Sequence, residues 1–128
     1  MVAKHSVLMT SRASVGFFEL VDQPVCTNQG FISIVPFSET WTHFILLQLS
    51  ERVDEIRNMG AGSTYPEVSR GKFKEFEIVM PDKETMSSFF QSVEPSIKQI
   101  WTLKRQNQKL RQARDLLLPK LMNGEIEV

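Results

Sequence analysis

Side chains able to do catalytic chemistry are few in this chain, and their spacing does not assemble a reaction. His5 and His43 fall in different segments, and His43 sits beside Phe44 in a helical stretch, as a structural histidine does. Cys26 follows Val25 after a proline turn and reads as a small buried apolar residue. A single cysteine forms neither an intramolecular disulfide nor a cysteine-rich zinc site. The sequence has no glycine-rich phosphate loop, no HExxH pair and no nucleophile elbow. Glu51, Asp54 and Glu55 read as the wet face of a helix. No catalytic residue, metal site or bound cofactor is therefore expected.

Polar loops carry chemistry of another kind, that of recognition. Arg12 lies between Ser11 and Ala13 in a turn, and a guanidinium can bond guanine O6 and N7 or grip a phosphate. Asn28 and Gln29 put two carboxamides before Gly30 at the entrance to a strand. Carboxamides pair with adenine N6 and N7, and they also stabilise ordinary turns. Ser63, Thr64 and Tyr65, followed by Ser69, Arg70, Lys72 and Lys74, form a second polar stretch that ends cationic.

The elements that must hold these loops follow from pattern. Ser6–Thr10, Gly16–Val21 and Phe31–Val35 read as strands, broken by turn residues and by Pro24 and Pro36. Ser38 or Thr40 can cap a helix whose apolar stripe is Trp41, Ile45, Leu49, Val53 and Ile56, ending at Asn58 and Gly60. Ser69 can cap a single turn. Glu75–Met80 alternates, with Phe76, Ile78 and Met80 on one face, and reads as a strand stopped by Pro81. The fold class expected is α+β: a small mixed domain over residues 1–82, then a helical region over 83–128.

In the helical region, Pro95 calls for either a new helix near Glu94 or a kink. From Val93 a heptad runs with Ile100, Asn107, Arg114 and Leu121 at a, and Leu103, Leu110 and Leu117 at d, Ser96 being the exception. The alternative is a surface helix packed on its own domain. However, Glu94 to Lys120 would span roughly 40 Å, long for packing against a small unit, so another helix is the expected partner. The net charge of zero hides an asymmetry: residues 1–94 hold 8 Lys/Arg against 12 Asp/Glu, and residues 95–128 hold 7 against 3. Six cations and no acid fall between Lys98 and Arg114, either a solvated face or a surface for phosphate or an acidic partner. Hydrophobic residues at 41% and charged residues at 23% suit a globular domain. No apolar run approaches a membrane span and the N-terminus lacks a signal-peptide core, so a cytoplasmic protein is expected.

Four segments in order, LMTSRASVG at 8–16, TNQGFISIVP at 27–36, GAGSTYPEVSRGKFKEFEIVMP at 60–81 and LRQARDLLLPKLMNGEIEV at 110–128, closely resemble the second target-recognition domain and C-terminal helix of type I restriction–modification specificity subunits. The resemblance covers nearly the whole chain. It implies a non-catalytic module that reads one half of a bipartite site in double-stranded DNA. It also implies docking on modification (methyltransferase) and restriction subunits, with S-adenosylmethionine, ATP and Mg confined to those partners. The family carries two recognition domains and two helices paired antiparallel. This sequence carries one of each and is expected by that comparison to lack the strands and helix before residue 6, so residues 1–82 are expected to be a partial domain. A homodimer through Ile100, Leu103, Asn107, Leu110 and Leu117 would supply the missing helix. Motif residues shared across members with different targets cannot themselves choose the target. Arg12, Asn28, Gln29, Ser63 and Thr64 are thus expected to shape loops or hold phosphate, and discrimination to lie in Phe17–Gln23 or Arg70–Lys74. The competing expectation is a truncated interaction-only module that binds modification subunits without reading DNA.

Overall fold

The computed structural model describes residues 1–60 and 65–126. The chain divides into two units, Met1–Asp82 and Lys83–Val128.

The first unit is built on three short antiparallel strands: β1 (Val7–Thr10), β2 (Phe18–Leu20) and β3 (Phe31–Ile34), in the order β2-β1-β3. Alternation along β1 turns Val7 and Met9 fully inward. Register sets Met9 opposite Phe18 on one side and Ile32 on the other. Such cross-strand neighbours are the unit of sheet stability. Helices cover this face. α1 (Glu39–Glu51) contributes Leu49 and α2 (Val53–Met59) contributes Ile56. With Val15 and Val68 these residues form the core, and Phe18, Ile34, Ile45, Phe73, Phe76 and Ile78 pack around it. Burying each large apolar side chain stabilises the fold by about 1.5–3 kcal/mol. The α+β class is as the sequence pattern indicates.

Local departures have identifiable causes. The single helix expected from Ser38 to Gly60 is two, because Arg52 leaves helical geometry at φ −104° and ψ 26°. Its side chain is committed elsewhere. Arg52 Nε and Nη2 donate to the Glu55 carboxylate at 2.9 and 2.6 Å, Nη1 donates to Glu77 O at 2.6 Å, and the guanidinium lies 4.4 Å from the Phe76 ring centroid. The charge-assisted bond holds the Glu55 carboxyl below the usual range. Ser38 stands at the start of α1 but its side chain makes no capping bond. Residues 75–80, expected as a strand, are not one. Their backbone groups find side chains of α1 and the Arg52 junction instead of a neighbouring strand: Gln48 Nε2 donates to Val79 O and Val79 N donates to Gln48 Oε1. Phe76 and Ile78 still face the core, whereas Met80 is exposed. Cys26 is exposed rather than buried.

Gly60 ends α2 at φ −89°, so its role is closeness and not handedness. A Cβ there would lie 3.0 Å from Val68 Cγ2 and 3.1 Å from Glu67 O.

The second unit is one helix, α4 (Lys83–Met122), where α3 is the short helix Arg70–Phe73. α4 runs unbroken through Pro95 and Pro119. Forty residues span about 60 Å. Each proline forfeits one ladder bond, and the helix continues on either side. It stops in a Schellman arrangement: Gly124 takes φ 70°, Glu125 N donates to Lys120 O at 2.9 Å, and Gly124 N donates to Leu121 O at 3.2 Å. No helix among the described residues is long and apolar enough to cross a membrane.

Candidate nucleic-acid interface

Three loop segments meet at Ser11, a buried residue just past the end of β1. Ser11 N donates to Gly30 O at 2.8 Å, and Val68 N donates to Ser11 O at 2.9 Å. One short polar residue thus ties the turn after β1 to the strand entrance at 28–30 and to the segment at 65–68. Ala13 N donates to Pro66 O at 3.0 Å and reinforces the second link. Sequence reasoning passed over Ser11, since a backbone junction leaves no side-chain pattern to read.

Arg12 stands beside this junction. It forms an isolated antiparallel bridge with Glu67, and its Nε donates to Glu67 Oε1 at 2.8 Å with both side chains about half exposed. Glu67 was a second residue that the sequence did not single out, 55 positions away. The turn that presents Arg12 is tightly specified. Ala13 has φ 59° and Gly16 has φ 87°. Thr10 Oγ1 donates to Ser14 O and accepts from Phe17 N, closing the loop internally. Arg57 Nε reaches across from α2 to Val15 O at 3.2 Å.

At the strand entrance, Asn28 Oδ1 accepts from Gly30 N at 2.9 Å, an Asx turn that fixes the approach to β3. Gln29 is exposed beside it. Tyr65 is exposed on the opposite segment. Ser63 and Thr64 lie outside the described residues. Ser69 caps α3 by accepting from Lys72 N at 3.2 Å. That cap opens a short turn of helix carrying Arg70 and Lys72, with Lys74 closing it, and all three are exposed. Arg70 and Lys74 form one wall of a groove of about 490 Å³ with Phe73, Ile32 and Ile34, and the hydroxyl residues Thr27 and Ser33 line it too. The structure therefore brings Arg70 and Lys74 beside β3, while Arg12 is engaged with Glu67.

The α4 unit offers a different surface. Ile100, Leu103, Leu110 and Leu117 are each about half exposed or more, and every residue from 102 to 126 is exposed. Asn107, Leu110, Arg111 and Arg114 line a shallow depression along this face.

A separate polar cluster forms where the N-terminal segment meets α1. His5 Nδ1 lies 3.0 Å from Glu39, and Thr42 Oγ1 donates to His5 O at 2.8 Å. Burial lowers the pKa of His43, Glu39 opposes this, and His5 adds to the lowering. His43 Nδ1 and Ser6 Oγ are both buried without a hydrogen-bond partner among the described residues, so they do not form a nucleophile–base pair. Among the described residues no group of three or more His, Cys, Asp or Glu is placed to hold a metal.

Comparison with known proteins supplies the frame for these surfaces. A family model described as the type I restriction modification DNA specificity domain matches residues 1–112. The type I restriction enzyme HindI specificity subunit of Haemophilus influenzae is 31% identical over 128 residues, covering 98% of this chain and 28% of that protein. The type I restriction enzyme MjaIX specificity subunit of Methanocaldococcus jannaschii is 32% identical over 83 residues, covering 63% of this chain and 19% of that protein. The chain thus spans less than a third of the length of either relative. With most of its residues inside the family model, this chain belongs to the type I restriction–modification DNA specificity domain family.

Proposed function

We propose that this chain is a non-catalytic recognition module of a type I restriction–modification enzyme, reading one half of a bipartite site in double-stranded DNA. The observation that carries the reading is the junction at Ser11, which converges the three loop segments shared with the family. In this reading Arg70 and Lys74 face DNA at the groove beside β3, and the exposed Lys72, Gln29 and Tyr65 contribute further contacts. Asn28 holds the strand-entrance loop in shape, and Arg12 positions its own turn through Glu67 or shifts to a phosphate. Ser63 and Thr64 belong to the same loop set by sequence. Residues 1–82 act as the recognition part and residues 83–128 as spacer and docking helix.

The exposed stripe of Ile100, Leu103, Asn107, Leu110 and Leu117 is the proposed pairing surface. It takes the helix of a second copy or of another specificity chain, and the end of α4 docks modification subunits. S-adenosylmethionine, ATP and Mg act in those partners, and the assembly works in the cytoplasm. Reconstitution with modification subunits tests the reading. Sequence-dependent adenine methylation that requires this chain is the expected result.

A second reading has its own observation. The first unit is net negative by composition and the Arg12 charge is neutralised by Glu67, which suits an interaction-only module. Under it, this chain supports assembly with modification subunits but confers no DNA sequence preference.

A further inference from the structure

Residues 95–128 hold 7 Lys/Arg against 3 Asp/Glu, and the cations of α4 divide between two faces: Lys104, Arg111 and Arg114 lie on the side of the apolar stripe, and Lys98, Arg105, Lys109 and Lys120 lie away from it. At about 100° per residue, Lys98, Arg105 and Lys109 fall within an arc of about 40°, and Lys120 widens it to about 60°. The stripe of Ile100, Leu103, Asn107, Leu110 and Leu117 is centred about 140° away. Lys98 is tied to Glu94 at 2.9 Å. Arg105 and Lys109 are exposed and have no carboxylate partner among the described residues. Like charges at i and i+4 weaken an isolated helix, a cost that a polyanion would reverse.

We infer that this back face of α4 is a phosphate track for duplex DNA, additional to the loops of the first unit; the inference rests on the DNA-reading function proposed above. Two features favour a duplex over an acidic protein. From Lys98 to Gln112 the face formed by Lys98, Thr102, Arg105, Lys109 and Gln112 carries no apolar side chain, and exposed Leu116 follows it one turn on, whereas protein interfaces are built round a buried apolar core. The cations from Lys98 to Lys109 follow this face for about 17 Å, about half a turn of B-DNA at about 34 Å. The apolar stripe lies on the other side, so a paired helix and a duplex can be held at once. Backbone contacts of this kind add affinity and no sequence preference.

The test uses the full chain and a fluorescein-labelled duplex of mixed sequence, titrated by anisotropy from low to moderate salt. The variant replaces Lys98→Gln, Arg105→Gln and Lys109→Gln together; glutamine is a good helix former, and circular dichroism checks that helix content is kept. At a slope of about −0.9 per phosphate neutralised, the log–log salt dependence should flatten by about 2.7, with the same fold-loss on every duplex tried. An unchanged slope in the folded variant overturns the inference, as does absence of duplex binding by the parent chain at low salt. Loss of modification-subunit capture with the slope unchanged assigns the face to a protein and also overturns it. None of these outcomes decides the loop reading, which is judged by sequence preference in the reconstituted complex.

Discussion

Arg12 and Glu67, far apart in the sequence, are joined both by a backbone bridge and by a 2.8 Å bond from Nε to the carboxylate. The pair is half exposed, so it stabilises the fold by only about 0–1 kcal/mol. Its larger effect is on where the Arg12 charge is spent. Replacing Glu67→Gln keeps the shape and removes the competing anion. The expected outcome is a salt dependence of DNA binding steeper by about 0.9, the contribution of one phosphate contact, with little change in melting temperature. Anisotropy titrations across salt measure it, and an unchanged slope would show that Arg12 serves its loop alone.

Gly16 sets a second prediction. Its φ is 87°, and a Cβ would lie 2.5 Å from Val53 Cγ2 on α2. Gly16→Ala therefore incurs both left-handed strain and overpacking, about 2–5 kcal/mol together. Adding Val53→Ala should recover the packing part and leave the backbone part. Denaturant melts of the single and double variants separate the two contributions.

The buried His43 makes stability depend on pH in a definite direction. Its pKa is lowered in the folded chain, mainly by burial, so the folded state favours the neutral ring. A histidine of this kind contributes stability that is full above the ordinary range near 6.5 and is lost as pH falls below it. Its Nδ1 has no hydrogen-bond partner among the described residues, so His43→Phe sacrifices no bond there. Thermal melts from about pH 7 to about pH 5 should fall for the parent and flatten for the variant. Parallel curves would remove His43 as the cause.

The exposed apolar stripe on α4 predicts association. Leu103→Glu with Leu110→Glu places charge in the proposed seam and should convert a dimer into a monomer by light scattering. Asn107→Leu should tighten association while loosening control of register, because a polar residue at such a position sets register at a cost in stability. A parent chain that stays monomeric at high concentration contradicts the pairing proposal.

Much of the fold was legible because its signals are local. β-Branched and aromatic runs ended by turn residues marked the three strands, and Ser69 marked its own cap. What was not legible depends on partners distant in sequence. The apolar stripe runs straight through Arg52, and only the pull of Glu55, Glu77 and Phe76 on its guanidinium accompanies the break there. The alternation at 75–80 is genuine, but Gln48 takes the backbone groups a strand neighbour would have used. Pro95 signals a helix start or kink to a reader of propensity, yet α4 absorbs one lost bond in a long ladder. At the candidate site, the cations of 70–74 were visible as residue types, whereas the Ser11 junction and the Arg12–Glu67 pair are invisible until the chain is folded.

The proposed role of this chain is to bring DNA sequence preference to its complex. The most direct measurement is selection from a randomised duplex library by the chain reconstituted with its modification subunits, followed by sequencing of the bound fraction. Enrichment of one half-site motif is expected, altered when Arg70, Lys72 and Lys74 are replaced by glutamine. A complex that assembles fully yet enriches no motif would contradict it and leave the interaction-only reading standing.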